Sequence, residues 1–131
     1  MLNKNAKLLS PSVLAFVGDA VYSLLVRTFL SSCQKPSETL HTEAIQYVAA
    51  SAQARAFDVI KPHLSDEELA VFTRGRNHHT NNTPKSSTPA EYHTATGLET
   101  LFGFLYLEGR RDRIEELFDL IKNGREDKTS E

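Results

Sequence analysis

The stretch from Val13 to Val26, VLAFVGDAVYSLLV, restricts this chain more than any other. It has the spacing of a buried helix, with Val13, Leu14, Phe16, Val17, Ala20, Val21, Leu24 and Leu25 covering most of the circumference. Yet Gly18 and Asp19 stand in its middle. Glycine in a helix interior costs about 1 kcal/mol relative to alanine. A buried carboxylate costs more unless its charge is offset. A second stretch repeats the anomaly: ATGLETLFGFLYL, from Ala95 to Leu107, carries Glu99 among apolar residues, with Gly97 and Gly103 nearby. Glycine in such a place lets another helix come close. Two helices that cross at their glycines would bring Asp19 and Glu99 together.

The other elements follow from local signals. Ser10 as N-cap and Pro11 at the first helical position start a helix that runs to about Ser31. Apolar nearly all round, it is expected to be the central helix. Cys33 to Pro36 reads as a turn, and Ser37-Glu38 opens a second helix with Leu40, Ala44, Ile45 and Val48 on one stripe. The alanine-rich run from Ala49 to Ala56 either continues that helix or restarts at Ser51. Phe57, Val59 and Ile60 bury its end, and Pro62 closes it. A capping box from Ser65 to Glu68 opens a short helix to about Arg74. Gly75 to Pro89, GRNHHTNNTPKSSTP, has no apolar residue and reads as a long loop of the kind that is often functional. A helix is expected from Tyr92 to Glu108, stopped by Gly109, and a last one from about Arg111 to Lys122. Residues 123–131 read as a frayed polar tail. The expectation is one all-α domain spanning 1–131.

Composition narrows the functions. The net charge is −2, so nucleic-acid binding would need positive charge gathered on one face. The single cysteine, Cys33, excludes an internal disulfide and a cysteine-based zinc site, and reads as a small apolar filler in a protein of a reducing cytosol. No signal peptide is expected, and the apolar run, interrupted by Gly18, Asp19 and Arg27, reads as too short and too polar to span a bilayer.

Two adjacent carboxylates repel each other, and burial adds to the penalty. Neither helix interior holds a basic side chain near the acids. A hard divalent cation is the other solution: Mg²⁺ takes one or two carboxylates, keeps several waters and contacts phosphates. A single acid in such a helix is commonly a contact to a helix terminus or an arginine. The matched pair leaves that reading and the cation both open.

Two motifs carry a family resemblance. LAFVGDAVY, from Leu14 to Tyr22, resembles the signature of the ribonuclease III catalytic domain, and TGLETLFGFLYLEG, from Thr96 to Gly109, resembles its second acidic helix. Arg74 to Asn77, RGRN, the short length and the lack of a double-stranded-RNA-binding domain resemble the Mini-ribonuclease III branch. The resemblance implies that Asp19 and Glu99 are metal-binding catalytic residues using Mg²⁺. It implies an all-helical homodimer that cuts double-stranded RNA, leaves 5′-phosphates and matures the large-subunit (23S) ribosomal RNA precursor. A ribosomal protein that presents this substrate, and a location in the cytoplasm or a plastid stroma, are further expectations of the resemblance. Ser12, Ala15 and Thr96 stand where the full-length enzymes carry further acids, which favours one metal per subunit over two.

A lone catalytic domain must hold the duplex itself, or a partner must present it, and one loop fits the first option. From Phe72 to Ala90 there is no Asp or Glu, while Arg74, Arg76 and Lys85 are basic and Asn77, His78 and His93 add donors for phosphates and 2′-hydroxyls. His79, Asn81, Asn82, Ser86 and Ser87 extend that set. The branch commonly has arginine where this chain has His93. Tyr22 reads as half-buried, His41 and His63 as surface residues, and Glu67, Glu68, Glu115 and Glu116 as solvated helix faces. Besides the nuclease, a non-catalytic RNA- or ribosome-binding module of the same fold and a helical adaptor without RNA are the competing readings.

Overall fold

Ser10 starts the first helix as the sequence requires, its hydroxyl accepting from the backbone of Val13 at 3.3 Å with Pro11 in the first turn. The computed structural model describes residues 5–78 and 87–129, with side chains as far as Arg125. Six α-helices follow in order: α1 Pro11–Ser31, α2 Ser37–Val48, α3 Ala50–Ile60, α4 Asp66–Arg76, α5 Pro89–Leu107 and α6 Arg111–Thr129. Single 3₁₀ turns lie at Ala6–Leu8 and Lys61–His63, and there is no strand among the described residues. The all-α expectation holds.

The central helix is α5, not α1. Leu98, Leu101, Phe102, Phe104 and Leu105 are fully buried, because α5 is packed by α1, α3, α4 and α6. α1 buries one stripe only: Leu14, Gly18, Tyr22, Val26 and Leu30, spaced by four. Its other side lies open, with Phe16 80% and Leu24 66% exposed. The helix has 21 residues and is long and apolar enough, by length and composition, to cross a membrane, which corrects the sequence-based exclusion. Its buried stripe is spent on α5, the most extensive helix pairing in the molecule.

That pairing is a contact of backbone on backbone. A Cβ added to Gly18 would lie 1.6 Å from the carbonyl oxygen of Glu99, and one added to Gly103 would lie 1.9 Å from that of Leu14. Helix axes this close exclude any side chain between them. Gly97, which the sequence assigned to the same crossing, serves another. A Cβ there would meet the Phe72 ring at 2.6 Å, and one on Gly75 would meet Thr100 Oγ1 at 2.2 Å. α4 therefore docks on α5 through Gly75 and runs on to Arg76 instead of ending at Arg74.

The remaining boundaries have local causes. Ala49 is extended (ψ 146°), so the alanine-rich run breaks from α2 and restarts at Ala50. Ala44 is buried on α2, whereas Ile45, expected on the same stripe, is exposed. Thr88 and Glu91 form a second capping box with Pro89 inside it, starting α5 three residues before Tyr92. Glu68 is no solvated acid. It is buried, closes the capping box with Ser65 and takes a two-pronged contact from Arg113, both arms at 2.8 Å. The same guanidinium also donates to the His63 carbonyl, so α4 and α6 are tied at one point. α6 does not fray at residue 123: Gly124 seats against Val59, and Arg125 lies 4.1 Å over the Tyr47 ring. Cys33 is exposed beyond the end of α1 and fills no core space.

The crossing yields the first prediction. Gly103→Ala places a methyl group into backbone that has no side-chain atom to yield, so it should destabilise the fold by at least ~3 kcal/mol, as read by chemical denaturation. A loss below about 1 kcal/mol would show that the helices separate freely.

Candidate active site

Gly18 faces the carbonyl of Glu99, so the next residue, Asp19, emerges at the rim of the α1–α5 crossing beside the Glu99 side chain. Glycine at 18 is thus a geometric condition for the acid pair. The two carboxyl groups are neighbours, close enough for Asp19 to raise the Glu99 carboxyl, as the crossing predicted. Their burial is unequal. Asp19 is exposed, which corrects the expectation of two buried acids, and Glu99 is largely enclosed. Burial pushes the Glu99 carboxyl up to about 7, and the neighbouring Asp19 charge pushes the same way.

A third residue joins the pair. Gln53 of α3 is 3% exposed, and its Nε2 donates to Glu99 Oε2 at 3.4 Å and to the Val48 carbonyl at 3.0 Å. Val48 ends α2, so its carbonyl is freed by the break at Ala49. The donation to Glu99 favours the charged carboxylate and works against the upward shift. Gln53 Oε1 is buried with no partner among the described residues. Sequence reasoning missed this residue. Its signal was register: Gln53 lies on the stripe of Ala56, Phe57 and Ile60, which are all buried.

The pair supplies two carboxylates, and the Gln53 side chain that holds Glu99 carries an amide oxygen without a partner among the described residues. Oxygen sets of this kind fit a hard divalent cation that keeps several waters. Among the described residues no group of three or more His, Cys, Asp and Glu side chains gathers as a metal site. Tyr22, one turn from Asp19, is not half-buried but sealed in the core. It meets the rings of Phe102 (5.4 Å) and Phe118 (5.9 Å) edge-on, and burial pushes its phenol up.

The residues expected to touch RNA divide. Arg74 is committed elsewhere: its guanidinium donates to the carbonyls of Lys7 (3.0 Å) and Leu9 (3.2 Å), pinning the N-terminal segment. Arg76 and Asn77 are exposed at the end of α4, linked at 3.3 Å, and His78 follows half-buried. His93 is half-buried on the second turn of α5, and Lys85, His79, Asn81, Asn82 and Ser86 lie outside the described residues. Arg76 borders a groove of about 220 Å³ that also holds Asp58 and Glu91, so the positive character there is diluted by neighbouring elements. His41 and His63 are exposed, as expected.

Residues 12–110 match the ribonuclease III domain family. The chain is 46% identical over 113 residues to a Mini-ribonuclease 3 of a Thermoanaerobacter species, covering 86% of this chain and 80% of that one. It is 40% identical to the Mini-ribonuclease 3 of Clostridium tetani (92% and 81% covered) and to that of Symbiobacterium thermophilum (92% and 96% covered). An X-ray structure of a Fusobacterium nucleatum protein superposes with a TM-score of 0.84 at 28% identity, over 94% of this chain and 99% of that one.

The acid pair fixes the sign of a pH effect. The Glu99 carboxyl titrates near 7 in the folded chain, above its ordinary 4.5. The unfolded chain therefore loses its proton first, and stability falls as pH rises from about 4.5 to about 7, then levels off. The size is on the order of 3 kcal/mol. Glu99→Gln should flatten this decline and be the more stable protein at pH 8 in EDTA. Urea unfolding of both proteins across that range reads it, and parallel curves would show that Glu99 is not strained by its surroundings.

Proposed function

Because the chain belongs to the ribonuclease III domain family, in its Mini-ribonuclease 3 branch, we propose that it is a Mg²⁺-dependent endoribonuclease that matures the large-subunit (23S) ribosomal RNA precursor as a homodimer. Family membership makes it an endoribonuclease of double-stranded RNA that works with a divalent metal. The observation that carries the finer reading is the Asp19–Glu99 pair, two carboxylates held against each other by a rigid crossing and in need of a compensating charge. Asp19 and Glu99 are the catalytic residues of this reading and would hold the cation. When bound, Mg²⁺ supplies a water of lowered pKa and stabilises charge on the leaving oxygen of the phosphodiester. Asp19, on the exposed side, meets the incoming strand. Glu99 is anchored by the amide of Gln53. A site on packed helices holds its geometry more tightly than one on loops.

The open side of α1 supports the homodimer. Phe16 and Val13 stand exposed on it, and Leu24 and Tyr106 rim a shallow groove of about 80 Å³ with Val21, Leu25 and Ile114. An apolar patch built on a large, bare phenylalanine marks an interaction surface. A second copy on this face would set two acid pairs about a two-fold axis, which matches the local two-folds of an RNA duplex. Arg76, Asn77, His78, Lys85 and His93 are the proposed RNA contacts, and Arg74 is withdrawn from that set. A ribosomal protein that presents the precursor, and a cytoplasmic or plastid-stromal location, complete the proposal.

Cleavage of a labelled RNA duplex in Mg²⁺ or EDTA is the test. Asp19→Asn should remain folded and lose at least about 100-fold in Mg²⁺-dependent cutting. Cutting that survives in this variant would place the active site elsewhere, and a folded wild type that binds duplexes without cutting would make the chain a binding module. Phe16→Glu tests the dimer. Sedimentation should show the dissociation constant raised by roughly 30-fold or more with helix content unchanged, and an unaltered dimer would move the interface to another face.

A further inference from the structure

Gln53 has a feature that its holding role leaves unexplained. Its Nε2 has two acceptors, the Val48 carbonyl and Glu99 Oε2. Turning the amide over would set Oε1 against both of those oxygens, so the direction of the amide is fixed by its partners. Oε1, on the same carbon, is then a buried acceptor with two lone pairs and nothing to receive. An unmet polar atom in such a place costs about 1–3 kcal/mol. An acceptor on the amide that holds Glu99 is suited to a cation or to a hydrogen of its bound water. A carboxamide oxygen is an ordinary ligand for hard cations and adds no charge to a pair that already repels.

We propose that Gln53 is a neutral third oxygen donor at the cation site, holding Glu99 through Nε2 and offering Oε1 to the cation or its water. This rests on the reading of Asp19 and Glu99 as the cation-binding pair. It accounts for the amide in an otherwise apolar stripe of α3. It also gives the break at Ala49 a role, because only a helix end there frees the Val48 carbonyl to orient the amide.

Direct binding of Mn²⁺, as a probe for the hard divalent cation, tests this by calorimetry on the full chain, with thermal unfolding in parallel. Gln53→Leu keeps the volume and removes the oxygen, and should bind Mn²⁺ at least about tenfold more weakly than wild type. Gln53→Glu restores an oxygen and should bind as tightly as wild type or more so, with a larger rise in melting temperature on adding Mn²⁺. A merely structural role would make both variants weaker alike. Wild-type affinity in a folded Gln53→Leu, or a tenfold loss in Gln53→Glu, would overturn the proposal, and the second variant decides alone if the first does not fold. Asp19→Asn separates the two levels of inference. If it loses Mn²⁺ binding, the pair stands and the Gln53 variants judge Gln53. If it binds as wild type does, the acid-pair reading has failed.

Discussion

Everything in this molecule that bears on chemistry depends on one contact without side chains. Gly18 and Gly103 let the backbones of α1 and α5 touch. The atom that Gly18 faces is the carbonyl oxygen of Glu99 itself, so the approach of the helices and the position of the acid are one constraint. Asp19 needs no further device, since its place follows from being the next residue on a rigid helix. Two glycines in helix interiors lose about 1 kcal/mol each in propensity, which the buried stripe from Leu14 to Leu30 and the fully buried face of α5 offset.

Electrostatics then turns this geometry toward a cation. Glu99 is desolvated, faces a like charge, and receives one hydrogen bond from Gln53 that favours its ionised form. Burial and the neighbouring acid both disfavour the charged form of Glu99, a penalty that a divalent cation would offset. The contrast with Glu68 is instructive. That acid is also buried, yet the Arg113 guanidinium beside it holds its carboxyl below the ordinary range. One buried acid is saturated and structural, and the other is left short of positive charge.

The sequence was legible where a residue's role is set by its own neighbours. The Ser10-Pro11 start, the Ser65–Glu68 capping box and the Gly109 stop are local, and each is present. The acid pair was legible because glycine and carboxylate recur together in two apolar helices. Roles set by distant segments were hidden. Arg74 looked like a phosphate contact because it sits among basic residues, but its partners are the carbonyls of Lys7 and Leu9 at the far end of the chain. Gln53 was hidden by its alanine-rich surroundings, which advertise helix and nothing more. α1 looked central from its composition. Its open side is apolar as well, with Val13, Phe16 and Leu24 exposed, so composition alone could not tell the covered face from the bare one.

The α1–α5 crossing also sets when the site can exist. α1 is the first long helix made and α5 the fifth, so their contact closes a loop containing α2, α3 and α4. Closing such a loop costs entropy before any of the contact is gained, and helical domains with long-range contacts fold more slowly than those built from neighbours. During synthesis the half-site bearing Asp19 must wait, its apolar stripe unpaired, until α5 has emerged. The growing chain therefore carries no assembled acid pair before α5 has been made, and the pair forms in the same event that completes the core.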